Sequence, residues 1–163
     1  MPRIARGLAD NFVYHVLNRG NNKEKVFRKE QDYNAFIDLM LEAKERCPIK
    51  IFAYCLMPNH FHIIAMPGKA EFLSKFMQWL MTSHVRRYHK HYKTSGHVWQ
   101  GRFKSNVIEG EAYILECLNY IHNNPVRAKI VAESKDYLWS SYHVYNRDKN
   151  PLAEFIQIDK FIP

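Results

Sequence analysis

Chemistry-bearing residues fall in two places along this 163-residue chain. The first is His60-Phe61-His62. On a strand, successive side chains alternate faces, so the two imidazoles point the same way while Phe61 enters the core. Two imidazoles so placed can share a divalent or transition metal ion. Alone, such a pair is more often two ordinary surface or core residues than a metal site. The surroundings add weight, because a Met57-Pro58-Asn59 turn leads in and Ile63-Ile64 continues as a buried strand. The second place is Tyr120 with Asn124, four apart on a helical stretch and so on one side of it. They flank an apolar stripe of Ile114, Leu118 and Ile121, with Tyr113 and Cys117 beside them. A flank of this kind can face a site on a sheet while the stripe holds the core. The plainer reading is a core-edge tyrosine and a helix stop at Asn123-Asn124-Pro125.

Charge supplies a third signal. The formal net charge is +8, and from Phe72 to Ile108 there is no Asp or Glu. That stretch carries Lys75, Arg86, Arg87, Lys90, Lys93, Arg102 and Lys104, with His84, His89, His91 and His97 among them. Such a run can neutralise phosphates and release their counterions. Trp79, Tyr88, Tyr92, Trp99 and Phe103 are interleaved with the cations, which suits unpaired, stackable bases. A solvated basic face without a ligand is the alternative.

These residues need elements to hold them. The length and the 47% apolar content allow one domain with a real core. Residues 12–17, 49–56, 60–66 and 103–108 are predicted as strands. Residues 30–46, 70–92 and 111–123 are predicted as helices. Phe72, Phe76, Trp79, Leu80 and Ser83 form the inner side of the second helix, and the third ends before Pro125. From Ala128 the chain reads as irregular, with Trp139-Ser140-Ser141-Tyr142 as its anchor. The order strand, helix, strand, strand, helix, strand, helix is that of an α+β ferredoxin-like sandwich. Its sheet is mainly antiparallel, with helices on one face and an additional helix carrying the tyrosine. One domain over 1–163 is expected, with its core at about 12–128 and a tail at 129–163. Three cysteines at wide spacing read as reduced, structural thiols. No apolar run is long enough for a membrane span or a signal peptide, so the cytoplasm is the expected location.

Several strings together carry a resemblance. They are Asn18-Arg19-Gly20-Asn21-Asn22, Met57-Pro58-Asn59-His60-Phe61-His62, Trp99-Gln100-Gly101-Arg102-Phe103-Lys104-Ser105, Tyr120-Ile121-His122-Asn123-Asn124-Pro125-Val126-Arg127-Ala128 and Trp139-Ser140-Ser141-Tyr142. In this order, over about Tyr14 to Tyr142, the chain resembles the single-tyrosine HUH transposases, the IS200-like group, and within it the REP-associated tyrosine transposases. The resemblance implies that His60 and His62 are ligands of a divalent metal, Mg²⁺ or Mn²⁺. It implies that Tyr120 is the nucleophile, and that Asn124 stands where the family places a third polar ligand, often Gln. It further implies cleavage and rejoining of single-stranded, hairpin-bearing DNA through a 5′-phosphotyrosine link, as in DNA transposition. That link conserves the bond energy, and no phosphate-binding loop for ATP occurs. Arg3, Arg6, Arg19, Lys23, Arg86, Arg87, Lys90, Arg102 and Lys104 are the candidate phosphate contacts.

Three other classes remain open. A domesticated, non-catalytic hairpin-DNA-binding protein would keep the fold but needs neither the histidines nor the tyrosine. A histidine-dependent phosphohydrolase of small nucleotides needs no long basic face. A structural zinc protein lacks a four-ligand set. Members of the family build their sites from one chain or from two, so either a monomer or a homodimer is compatible with the sequence.

Overall fold

The computed structural model describes residues 9–145. Four strands, β1 (Val13–Arg19), β2 (Ile49–Met57), β3 (His60–Pro67) and β4 (Lys104–Ile108), form one sheet in the order β2-β3-β1-β4. Every neighbouring pair is antiparallel. The helices are α1 (Glu30–Arg46), α2 (Ala70–Tyr92) and α3 (Glu111–Arg127). This is the ferredoxin-like sandwich expected from the element order. A 3₁₀ turn at Ser134–Asp136 and a short helix at Tyr142–Tyr145 follow.

Alternation along the strands divides the core in two. Tyr14 and Val16 of β1 and Phe61, Ile63 and Ala65 of β3 face α1 and α2, meeting Phe36, Met40, Phe76 and Leu80. Val13, Ile64 and Ile108 face the other way, against Ile114, Leu118 and Ile121 of α3. The tyrosine helix therefore covers the sheet face opposite to the first two helices. Register fixes which residues share its face, because directly opposed residues lie on one side. In β1 and β3 these pairs include Arg19 with His60, Leu17 with His62 and His15 with Ile64. In β1 and β4 they include Leu17 with Lys104 and His15 with Asn106.

Helix α1 begins at a carboxylate cap. Asp32 Oδ2 accepts from the Arg28 and Lys29 backbone N–H groups at 2.8 and 3.3 Å, which satisfies donors the helix itself leaves open. Tyr92 at the end of α2 donates its hydroxyl to the same oxygen at 2.5 Å, joining the two helices.

Two expectations are corrected. α3 does not stop before Pro125 but runs on to Arg127 with the proline inside it. A proline removes only its own bond to the preceding turn. Here it falls near the end, its side chain is buried, and Ala128 N–H still reaches Asn124 O at 2.9 Å. The inner side of α2 is Leu73, Phe76, Met77, Leu80, His84 and Tyr88. Phe72 and Trp79 are only partly buried at its margin, and the Arg46 guanidinium lies 4.7 Å from the Trp79 ring.

Candidate active site

Strand β3 delivers His60 and His62 to the α3 side of the sheet, their ring centroids 5.0 Å apart and mutually perpendicular. Phe61 points into the other core, fully buried. His60 Nδ1 lies 2.7 Å from Asn59 Oδ1. A carbonyl oxygen accepts, so this nitrogen holds the proton and Nε2 is left with its lone pair. His62 Nδ1 shares a hydrogen bond of 2.8 Å with His15 Nε2, and its Nε2 faces the Asn124 amide at 2.8 Å. Asn59 thus orients the His60 ring through Nδ1, while the His62 ring is held through both nitrogens, by His15 and by the Asn124 amide. Burial pushes the pKa of His60 below its ordinary value, with Arg19 adding to the effect. Burial pushes His62 down to about 3, assisted by His15, His60 and Arg127. Both imidazoles are neutral at pH 7, the form in which a histidine binds a metal.

Helix α3 supplies the other half. Tyr120 and Asn124 fall on one side of it, and both reach His62. The Tyr120 ring meets the His62 ring edge-on at 6.1 Å between centroids. Tyr120 is 44% exposed, so its phenol is open to a substrate. The Arg127 guanidinium stands 4.3 Å from the Tyr120 ring centroid. Among the described residues no three His, Cys, Asp or Glu side chains form a metal-binding cluster; the candidate set is two imidazoles and an amide.

Two clefts open beside this constellation. One, of about 520 Å³, is lined by Arg19, His60, Arg102 and Lys104 among others. The other, of about 750 Å³, is lined by His15, Tyr113, Glu116 and Tyr120 among others. Arg19 donates to Gln100 Oε1 through Nε and Nη2 at 3.2 and 3.0 Å. Asn18 donates to Gly101 O at 3.0 Å, tying the 99–102 loop to β1. Arg86 and Arg102 line a third depression of about 640 Å³ between α2 and that loop. A basic band therefore runs from α2 across Arg102 to the His60 side. Lys23 and Lys90 are exposed. Arg87 lies 4.0 Å from the buried Asp32 carboxylate, so its charge is partly engaged within the fold. Arg3 and Arg6 lie outside the described residues.

The aromatics interleaved with the basic run do not form a stacking surface. Tyr88, Trp99 and Phe103 belong to the core, and Tyr92 is tied to Asp32. His84, counted with the solvated cations, is buried and accepts from the Trp99 indole N–H at 3.2 Å. These side chains fill the space between α2 and the loop before β4, where apolar rings gain most by leaving water. His15 and Arg127 are the site neighbours not singled out from the sequence. Period-two spacing within β1 places His15 on a face with Arg19, but only the pairing of β1 with β3 brings it to His62. Arg127 lies past the expected end of α3.

An antiparallel sheet that turns a His-x-His pair toward a tyrosine on a separate covering helix has the layout of a single-tyrosine HUH transposase. The sequence profile of the transposases described as IS200-like matches residues 9–124, and the chain belongs to that family. It is 29% identical over 124 residues to a protein of Haemophilus influenzae assigned to the REP-associated tyrosine transposases, covering 69% of this chain and 70% of that one. It is 23% identical over 132 residues to the REP-associated tyrosine transposase of Escherichia coli K12, covering 80% and 75%. The solved structure of a REP-associated tyrosine transposase bound to a REP hairpin superposes with a TM-score of 0.71, at 21% identity, over 93% of this chain and 90% of that one. Among the described residues no helix is long and apolar enough to cross a membrane.

Proposed function

We propose that this protein is a metal-dependent enzyme that cuts and rejoins single-stranded DNA carrying hairpins, with Tyr120 as the nucleophile. The observation that carries this reading is the convergence of Tyr120 and Asn124 of α3 on His62 of β3, through the 6.1 Å ring contact and the 2.8 Å hydrogen bond.

The Tyr120 phenol oxygen attacks the scissile phosphorus. The phenol gives up its proton as a Tyr120–phosphate ester forms. The bond to the 3′ oxygen breaks, and that oxygen takes up one proton and leaves as a 3′-hydroxyl, so the net proton movement is one proton from phenol to leaving group. Attack by a 3′-hydroxyl on the ester reverses the step and releases the phenol, so the exchange needs no external energy source. The donor set fits a divalent cation, Mg²⁺ or Mn²⁺: His60 presents Nε2, and turning the Asn124 amide would both release His62 Nε2 and offer an oxygen donor. Such an ion, held by His60, His62 and Asn124, would neutralise charge on the scissile phosphate. Arg127 beside the phenol adds a fixed positive charge on the approach path. Arg19, Arg102 and Lys104 bind the phosphates that lead into the cleft, with Arg86, Lys90 and Lys23 farther along. The hairpin bound by the REP-associated structural relative suggests the form of DNA this chain takes.

The test uses hairpin-bearing single strands incubated with the full chain and Mn²⁺ or Mg²⁺, followed by denaturing electrophoresis. The expected result is a denaturant-resistant DNA adduct that Tyr120→Phe abolishes while DNA affinity is retained. A wild-type chain that binds the hairpin but forms no adduct with either metal is a non-catalytic hairpin binder. An adduct that survives in Tyr120→Phe places the nucleophile elsewhere.

A further inference from the structure

The chain after α3 folds back along the free edge of β2. Leu56 N–H donates to Trp139 O at 2.8 Å, Ser141 N–H donates to Tyr54 O at 2.9 Å, and Cys55 bridges to Ser140. Tyr137 donates its hydroxyl to Leu56 O at 2.5 Å. The Trp139 ring stacks on Tyr33 of α1, 4.7 Å away and tilted by 9°. This segment is therefore pinned to the sheet and to the opposite helical layer. It also grips α3. Ser141 Oγ accepts from Tyr54 N–H at 2.9 Å and shares a hydrogen bond of 2.7 Å with His122 Nε2. One residue along, Ser134 donates its hydroxyl to Asn123 Oδ1 at 2.9 Å.

We propose that residues 134–143 are a positioning clamp for the tyrosine helix, in which Ser141 and His122 set where Tyr120 and Asn124 stand relative to His62. Apart from Asn124 at the site itself, α3 meets the sheet largely through the apolar side chains of Ile114, Leu118 and Ile121. Apolar contact is non-directional and leaves rotation and sliding weakly opposed. Hydrogen bonds are directional and fix both. His122 lies 200° around the helix from Tyr120, so a bond at His122 pins the side remote from the phenol. A rotation of α3 by about 20° would displace a side chain at its outer radius by about 2 Å. That is enough to take a nucleophile out of line. Successive residues are held by different partners: His122 by Ser141, Asn123 by Ser134, Asn124 by His62. The clamp thus spends two side chains on the setting of the third. His122 and Ser141 are positioning residues; neither touches the reacting atoms.

The inference rests on the proposed function for its chemical readout, and on the helix itself for a second one. Ser141→Ala and His122→Leu are compared with wild type in three measurements. These are the rate constant for adduct formation at saturating hairpin DNA, the DNA Kd, and amide hydrogen exchange of α3 against β1 and β3 in free protein. The expected result is a rate constant about 10- to 100-fold lower with Kd unchanged. The α3 amides exchange faster while β1 and β3 stay protected. His122→Gln, which keeps a polar nitrogen toward Ser141, restores both. Asn123→Ala, at an exposed position, gives a smaller loss of the same kind and serves if the buried variants unfold. Unchanged α3 exchange in Ser141→Ala, His122→Leu and Asn123→Ala overturns the clamp. So does faster α3 exchange with an unchanged adduct rate. If wild type forms no adduct, the proposed chemistry falls while the exchange measurement still decides the clamp.

Discussion

At His62 contacts from β1 and α3 converge on one ring of β3. It receives the Asn124 amide on one ring nitrogen and His15 on the other, with Tyr120 against its edge. The Asn124 Nδ2 group donates, so His62 Nε2 accepts and the ring proton sits on Nδ1, directed at His15. A metal-binding histidine is commonly oriented by such a partner on its other nitrogen, and loss of the partner costs about 10- to 100-fold in metal affinity. His15→Ala is therefore expected to weaken Mn²⁺ binding by about that factor, and His15→Gln to recover part of it. Titration calorimetry with Mn²⁺ in the absence of DNA checks both; equal affinity in wild type and His15→Ala would remove His15 from any role at the site. The sequence reveals this residue least well. His60 and His62 share a strand, and Tyr120 and Asn124 share a helix, so spacing alone relates the members of each pair. His15 meets His62 only through strand pairing across 47 residues, which no local pattern encodes.

At the scale of elements, the turn after β1 shows how a single missing side chain sets the site's edge. Gly20 bridges to Trp99 and donates its N–H to Asn59 O at 2.7 Å. A Cβ there would stand 2.3 Å from Glu24 O and 2.9 Å from Val26 Cγ2. Its φ of −58° is open to any residue, so the demand is for space alone. Gly20→Ala forces backbone apart and is expected to destabilise the protein by about 1–3 kcal/mol, as overpacking does. It also shifts Arg19, which lies opposite His60. Urea unfolding measures the first effect; an unchanged midpoint would show that the turn relaxes freely. Strands and helices were legible because apolar period and turn residues agree along the chain. The end of α3 was not, because Pro125 is a strong local stop that tertiary contacts outweigh. Its ring is buried and the following turn closes through Ala128, Lys129 and Ile130. The consequence reaches the site, since the extra turn carries Arg127 to the Tyr120 ring.

Across the whole molecule, charge and burial compete for the same stretch of sequence. The acid-free run from Phe72 to Ile108 reads as one basic surface, yet only its exposed members, such as Arg86, Lys90, Arg102 and Lys104, stand in solvent. The rest builds the layer between α2 and the sheet, and a single sequence gives no register by which to separate the two sets. His84 belongs to the buried set, and burial, assisted by Arg87, pushes its pKa down to about 3. His122 is likewise held at about 4, chiefly by burial, with His143 adding to it. Both are neutral when folded and take up protons near pH 6.5 when unfolded. The unfolded state therefore binds more protons at mildly acid pH, and stability falls as pH drops below about 6.5. It is fully present above that value, and the loss continues down toward the folded pKa values. Each such histidine costs about 1.4 kcal/mol between pH 7.5 and 5.5, so His84 and His122 together cost about 3 kcal/mol there, and His62, held at about 3 as well, adds a similar share. Urea unfolding at the two pH values tests the sum. His84→Asn, which keeps an acceptor for Trp99 but does not titrate, is expected to reduce the difference by its own share, about 1.4 kcal/mol. A pH dependence equal to that of wild type would mean that His84 keeps an ordinary pKa in the folded protein, and that the ring is not shielded as its surroundings require.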